Sequence, residues 1–157
     1  MKKINLAEVL LKEMAVFDCK SFENKEEMFD IAALKFTEEG FVTNAEAFEE
    51  ALKFRETLGP TYMGNLVAVP HGKCREVLKP GIAFYRCKEP FVYESAGESG
   101  FVKYIFVLAI SENQENNYHQ RVLAALAGML AHKEFLKLLE EAADYEEFIH
   151  GINQLKL

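Results

Sequence analysis

The chain has 157 residues, 50% of them hydrophobic and 27% charged, with a net charge of −7 at pH 7. That length suffices for one domain with a sizeable core. The acidic balance argues against a nucleic-acid binder, which presents a basic face, and suits a partner carrying a complementary positive patch.

The start, Met1-Lys2-Lys3-Ile4-Asn5-Leu6, resembles the opening of a signal peptide, but Glu8, Lys12 and Glu13 interrupt any apolar core. Helical signals follow, and residues 15–18 fit a short strand. Asn24 followed by Glu27 reads as a capping box. Phe29, Ala32, Ala33 and Phe36 then recur at helical spacing, and Gly40 is a stop signal. Thr43 with Glu46 reads as a second capping box. Ala45, Phe48 and Leu52 form that helix's apolar stripe. Arg55, three positions on, shares the face and lies near the C-terminus, where the dipole favours a cation.

The middle is β-like. Residues 66–69, 82–85 and 102–110 are apolar runs bounded by Gly, Pro or polar clusters, with 91–93 a weaker fourth. Their near-continuous hydrophobicity predicts a sheet covered on both faces. Pro70 ends the first run, because proline cannot donate to a ladder. Gly72 removes bulk and permits unusual backbone angles. His71 is therefore expected in a turn at the rim of a strand. No run approaches the roughly 20 apolar residues that cross a bilayer; the longest, 104–110, is strand-sized.

The end is helical again. His119, Leu123, Leu126 and Leu130 share one face over 115–131. Phe135, Leu138, Leu139 and Ala142 mark the next helix, and Asp144 with Glu147 caps a last one carrying Phe148 and Ile152. His132 and His150 read as solvated or capping residues. The order of helices, strands and helices predicts an α/β single-domain sandwich, a mixed β-sheet flanked by helices on both faces. Cys19, Cys74 and Cys87 are odd in number and scattered. They do not form a disulfide framework, so a reducing cytoplasm is expected.

Three residues stand at element ends: Arg55, His71 and His119. Ends of elements are where α/β folds build sites. A helix start suits an anion, an arginine fork suits phosphate oxygens, and imidazole is a tunable nucleophile. If they converge, the set suits phosphoryl transfer, in which positioning and charge stabilisation dominate. A zinc site from His71, Cys74, Cys87 and His119 is the competing chemistry, without the usual ligand spacings. The sequence lacks the P-loop, G-x-G-x-x-G and G-x-S-x-G motifs, so no cofactor is expected.

The stretch Arg55-Glu56-Thr57-Leu58-Gly59-Pro60-Thr61-Tyr62-Met63-Gly64, continuing to Ala68-Val69-Pro70-His71-Gly72, resembles the enzyme IIA domain of the phosphoenolpyruvate-dependent sugar phosphotransferase system, fructose/mannitol type. Asn116-Asn117-Tyr118-His119, opening a helix after a hydrophobic strand, is similar to that family's second histidine. The resemblance extends over nearly all of residues 1–157. It implies that His71 accepts a phosphoryl group from the phosphohistidine of HPr and passes it to an enzyme IIB. That protein in turn phosphorylates the sugar carried by the membrane enzyme IIC. Arg55 would steady the group and His119 would stand beside it, with no metal or nucleotide needed. The wording of the motif is closest to the mannitol branch. A regulatory IIA-like domain controlling a target protein is the alternative. The chain itself is expected in the cytoplasm, uninserted in the membrane.

Overall fold

The computed structural model describes residues 4–95, 97–113 and 117–155. A short helix α1 (Leu6–Val9) and a 3-10 turn lead into strand β1 (Ala15–Cys19). Helices α2 (Lys25–Glu38) and α3 (Ala45–Thr57) follow, then β2 (Tyr62–Gly64), β3 (Val67–Ala68) and β4 (His71–Cys74). Two long strands, β5 (Gly81–Ser95) and β6 (Glu98–Ser111), precede α4 (Tyr118–Leu130), α5 (Lys133–Glu141) and α6 (Tyr145–Gln154).

The strands form one mixed sheet in the order β1-β5-β6-β3-β2, with β4 also paired to β6. β5 and β6 are an antiparallel hairpin, whereas β1 runs parallel to β5, and β3 and β4 run parallel to β6. Alternation along the central strands sends Ala83, Tyr85, Ile105, Val107 and Ala109 to one face and Ile82, Phe84, Tyr104, Phe106 and Leu108 to the other. The first set packs with residues of α2 and α3. The second packs with residues of α1, α4, α5 and α6. The sheet is thus covered by helices on both faces, as the hydrophobic runs predict.

Several details differ from the sequence-based expectation. The cap of α3 is Asn44, not Thr43; its side chain accepts from the Ala47 amide at 3.0 Å. The predicted strands at 82–85 and 91–93 are parts of one strand, β5. A register shift between Arg86 and Phe91 absorbs the polar residues Lys88, Glu89 and the ladder-breaking Pro90. The cysteines are not all scattered. Cys19 and Cys87 are directly opposed on β1 and β5, their Sγ atoms 3.9 Å apart. Helix α4 buries Val122, Leu126, Met129 and Leu130, so its core face is rotated and leaves His119 and Leu123 half-buried on its flank. The predicted helix start at Glu115, and Asn116 of the motif, lie outside the described residues.

Candidate functional site

His71 opens β4 rather than sitting in a turn. Pro70 interrupts the β3–β4 line by only one donor, and its carbonyl still accepts from the Leu108 amide at 3.0 Å. β6 runs on beyond Pro70, so the chain rejoins the ladder at once, with His71 opposite Leu108. Upstream, the β2–β3 hairpin turns through Asn65 (φ 54°) and Leu66 (φ 65°). Two consecutive left-handed residues define the turn type that matches strand twist. Leucine is costly there; its carbonyl accepts from the amides of Lys103 (2.7 Å) and Tyr104 (2.9 Å), which offsets the strain.

Gly72 has no positive φ; its role is space. A Cβ there would stand 3.1 Å from the Leu52 amide nitrogen, 3.1 Å from the Phe48 ring and 3.2 Å from the Ala51 Cβ. The missing side chain lets α3 lie directly on β4. That approach brings Arg55, in the last turn of α3, onto the imidazole.

Arg55 Nε donates to His71 Nε2 at 3.1 Å, and its Nη1 donates to the Gly59 carbonyl at 3.0 Å. Gly59 has φ 152°, a conformation open to glycine, which aims that carbonyl back at the helix end. On the far side of the ring, His71 Nδ1 lies 3.0 Å from the Val69 carbonyl. A carbonyl can only accept, so Nδ1 carries the proton and Nε2 the lone pair. The imidazole is half-buried. Burial pushes its pKa below the ordinary histidine value, and the charges of Arg55 and His119 add to the shift; the Val69 carbonyl and Glu56 oppose it. A neutral imidazole with a defined bare nitrogen results.

His119 stands in the first turn of α4. Its pKa is lowered by burial and then by Lys73, the cation two residues beyond His71 on β4. Asn117, at the N-cap in a left-handed conformation (φ 51°), gives no side-chain cap. Arg55 and His71 therefore touch, and His119 is near enough for its charge to act on His71. The zinc set does not assemble, because Cys87 is fully buried against Cys19 on β5.

Sequence reading missed the neighbour beneath this site. Glu56 is 4% exposed and accepts hydrogen bonds from Thr61 (2.8 Å), Tyr93 (2.5 Å) and Ser95 (3.1 Å). The signal was present: Glu56 continues the Phe48–Leu52 stripe at i+4, a carboxyl in an apolar row.

A family model, "Phosphoenolpyruvate-dependent sugar phosphotransferase system, EIIA 2", matches residues 9–155. The chain belongs to this family. It is 32% identical over 96% of its length to the fructose-specific EIIABC component of Bacillus subtilis, of which it covers 23%. The chain thus spans about a quarter or less of the multidomain relatives it matches. It is 30% identical to the mannitol-specific phosphotransferase enzyme IIA component of the same organism, over 94% of this chain and 99% of that one. The nitrogen regulatory protein IIA-Ntr of Neisseria meningitidis shares the fold at a TM-score of 0.80 and 30% identity, covering 94% of this chain and 98% of that one. Enzyme IIAMtl of Escherichia coli, solved in complex with phosphorylated enzyme IIBMtl, gives 0.74 at 25% identity over 93% and 98%.

Proposed function

We propose that the chain is a phosphoryl carrier, with residues 1–157 as one enzyme IIA domain. It takes the group from the phosphohistidine of HPr onto His71 and passes it to an enzyme IIB for sugar uptake. The observation that carries this reading is the imidazole held between Val69 and Arg55, with Nε2 unprotonated. Nε2 attacks phosphorus as the donor's P–N bond breaks, so one P–N bond replaces another. The proton stays on Nδ1, donated to the Val69 carbonyl, throughout. The Arg55 guanidinium, which caps Nε2 in the resting state, swings to the phosphoryl oxygens and balances their charge. His119, with the start of α4, where the Asn117 side chain makes no cap, offers further donors to the same oxygens. Neither metal nor nucleotide takes part in this exchange.

A protein-sized donor needs a docking surface. Phe54 and Leu58, one turn apart beside Arg55, are 66% and 68% exposed. Exposed apolar groups at the rim of a reactive centre suit a transient partner. The relative solved with phosphorylated enzyme IIBMtl supports an enzyme IIB as the acceptor. The relatives named for mannitol and fructose support a sugar or polyol of that class, read by a membrane enzyme IIC. Among the described residues no helix is long and apolar enough to cross a membrane. The three free thiols favour the cytoplasm. Incubation with phosphoenolpyruvate, enzyme I and HPr tests the reading. Wild type should gain an acid-labile phosphoryl group and His71→Ala none; an alanine variant that is still phosphorylated overturns it.

A further inference from the structure

Beneath the imidazole lies a closed ring of hydrogen bonds that begins and ends on α3. Glu56 accepts from the Thr61 hydroxyl at 2.8 Å. The Thr61 carbonyl accepts from the Val69 amide at 2.9 Å. The Val69 carbonyl accepts from His71 Nδ1 at 3.0 Å, and His71 Nε2 accepts from Arg55, the residue before Glu56, at 3.1 Å. Tyr93 and Ser95 donate to the same carboxyl group and tie it to β5, while Tyr93 is fully buried. Three hydroxyls converging on two oxygens match the acceptor-only inventory of a carboxylate. The one segment that joins α3 to β2 is thereby clamped at both ends.

We infer that Glu56 is a positioning residue for phosphoryl transfer, fixing through Thr61 and Val69 the tautomer of His71 and its alignment with Arg55. This rests on His71 as the phosphoryl acceptor. Glu56→Gln keeps the shape but replaces one acceptor by a donor, so one hydroxyl loses its partner and the ring loosens. Small misplacements of a nucleophile cost large factors in rate, so the saturated transfer rate from phospho-HPr should fall about tenfold with KM unchanged. Tyr93→Phe, which keeps the ring packed edge-on against Phe91 in the core, should give about a threefold fall in the same parameter. Nitrogen-15 NMR should show His71 wholly as the Nδ1–H tautomer in wild type and as a mixture in Glu56→Gln. A wild-type rate in both variants, or an unchanged tautomer with only KM or the melting temperature altered, overturns the inference. A wild type that accepts no phosphoryl group condemns the functional reading instead, and the tautomer measurement still judges Glu56.

A separate observation carries a second site. Cys19 and Cys87 are opposed across adjacent strands, next to a register shift, with their Sγ atoms 3.9 Å apart. Cys87 is fully buried; Cys19 is half-buried and lines an open groove with Phe22, Ile31, Leu34 and Tyr85. Cys19 Sγ donates to Cys87 Sγ at 3.9 Å; that contact, opposed by burial, lowers the Cys19 pKa, whereas burial raises that of Cys74. The geometry points to Cys19 and Cys87 as a dithiol oxidised by hydroperoxides. The Cys19 thiolate attacks the peroxide oxygen, the O–O bond breaks, and sulfenic acid and an alcohol or water form. Cys87 sulfur then attacks Cys19 sulfur and releases water. Two thiols and one peroxide give one disulfide, the sulfurs oxidised by two electrons in all. Hydrogen peroxide should remove two thiols, leave Cys74 free and yield a linked Cys19–Cys87 peptide. Cys87→Ser should stop at a trappable sulfenic acid on Cys19. Three surviving thiols, or earlier loss of Cys74, overturns the assignment.

Discussion

His71 is held by two hydrogen bonds on opposite sides of one ring, one fixing the proton and the other marking the lone pair that the proposed transfer uses. Its pKa is lowered first by burial. Above pH 6.5, the ordinary histidine value, folded and unfolded chains both carry it neutral. Below that, the unfolded chain takes a proton that the folded site resists, so this residue's contribution lowers stability as pH falls. NMR titration should place its midpoint below 6.5, with stability measured by denaturant dropping over the same window. A midpoint above it would show that the charged form is favoured. Arg55→Ala removes the donor proposed to meet the transferring group. Transfer should slow by about a hundredfold, while the melting temperature stays near wild type because the side chain is only half-buried. At this scale the sequence was informative. The placement of Arg55, His71 and His119 at element ends was legible, and the structure sets Arg55 against His71; their role in transfer rests on the resemblance and the proposal. The partner of each ring nitrogen was not legible, because Val69, two residues back, acts through its carbonyl and no side chain announces it.

At the scale of elements, α3 on β4 makes the site. The glycine between them is a spacer, since no positive φ requires it. Two of the three atoms that a Cβ would meet, the Leu52 nitrogen and the Ala51 Cβ, are fixed to the helix and cannot rotate away. Gly72→Ala should therefore push α3 outward and cost about 1–3 kcal/mol in urea denaturation. Transfer should slow as well, because Arg55 moves with its helix; unaltered stability and rate would show that the packing has slack. Hydrophobic runs and caps made most elements legible. The β3–β4 line was hidden because Pro70 signals an end when read locally. Whether a strand resumes depends on the length of its neighbour β6, which is a tertiary fact. The rotated core face of α4 has the same origin. Val122 and Met129 compete with Leu123 for burial, and the sheet decides between them.

The whole molecule is two hydrophobic layers divided by one sheet, and Arg86 pins its far side. It is buried on β5, pairs with Asp18 through Nε (3.1 Å) and Nη2 (2.9 Å), and donates Nη1 to the carbonyls of Leu139 (3.2 Å) and Ala142 (2.6 Å). One side chain thus joins β1, β5 and the end of α5. Arg86→Ala would orphan these acceptors. With Asp18 half-exposed, the loss should be about 2–3 kcal/mol by chemical denaturation, with phosphoryl acceptance retained in the folded fraction. A change within experimental error would show that water replaces the arginine. The sandwich itself was legible, because residues 82–85 and 102–110 are apolar at nearly every position and need cover on both faces. The Arg86 bridge was not, since its partners are a residue 68 positions away and two backbone carbonyls.

The central claim is that the phosphoryl group resides on one nitrogen of one residue. Phosphorus-31 and nitrogen-15 NMR of the phosphorylated protein reads this directly. A phosphorus–nitrogen coupling at His71 Nε2, with Nδ1 still protonated against Val69, is the predicted result. Phosphorus on Nδ1 or on His119, or no adduct at all, would contradict it.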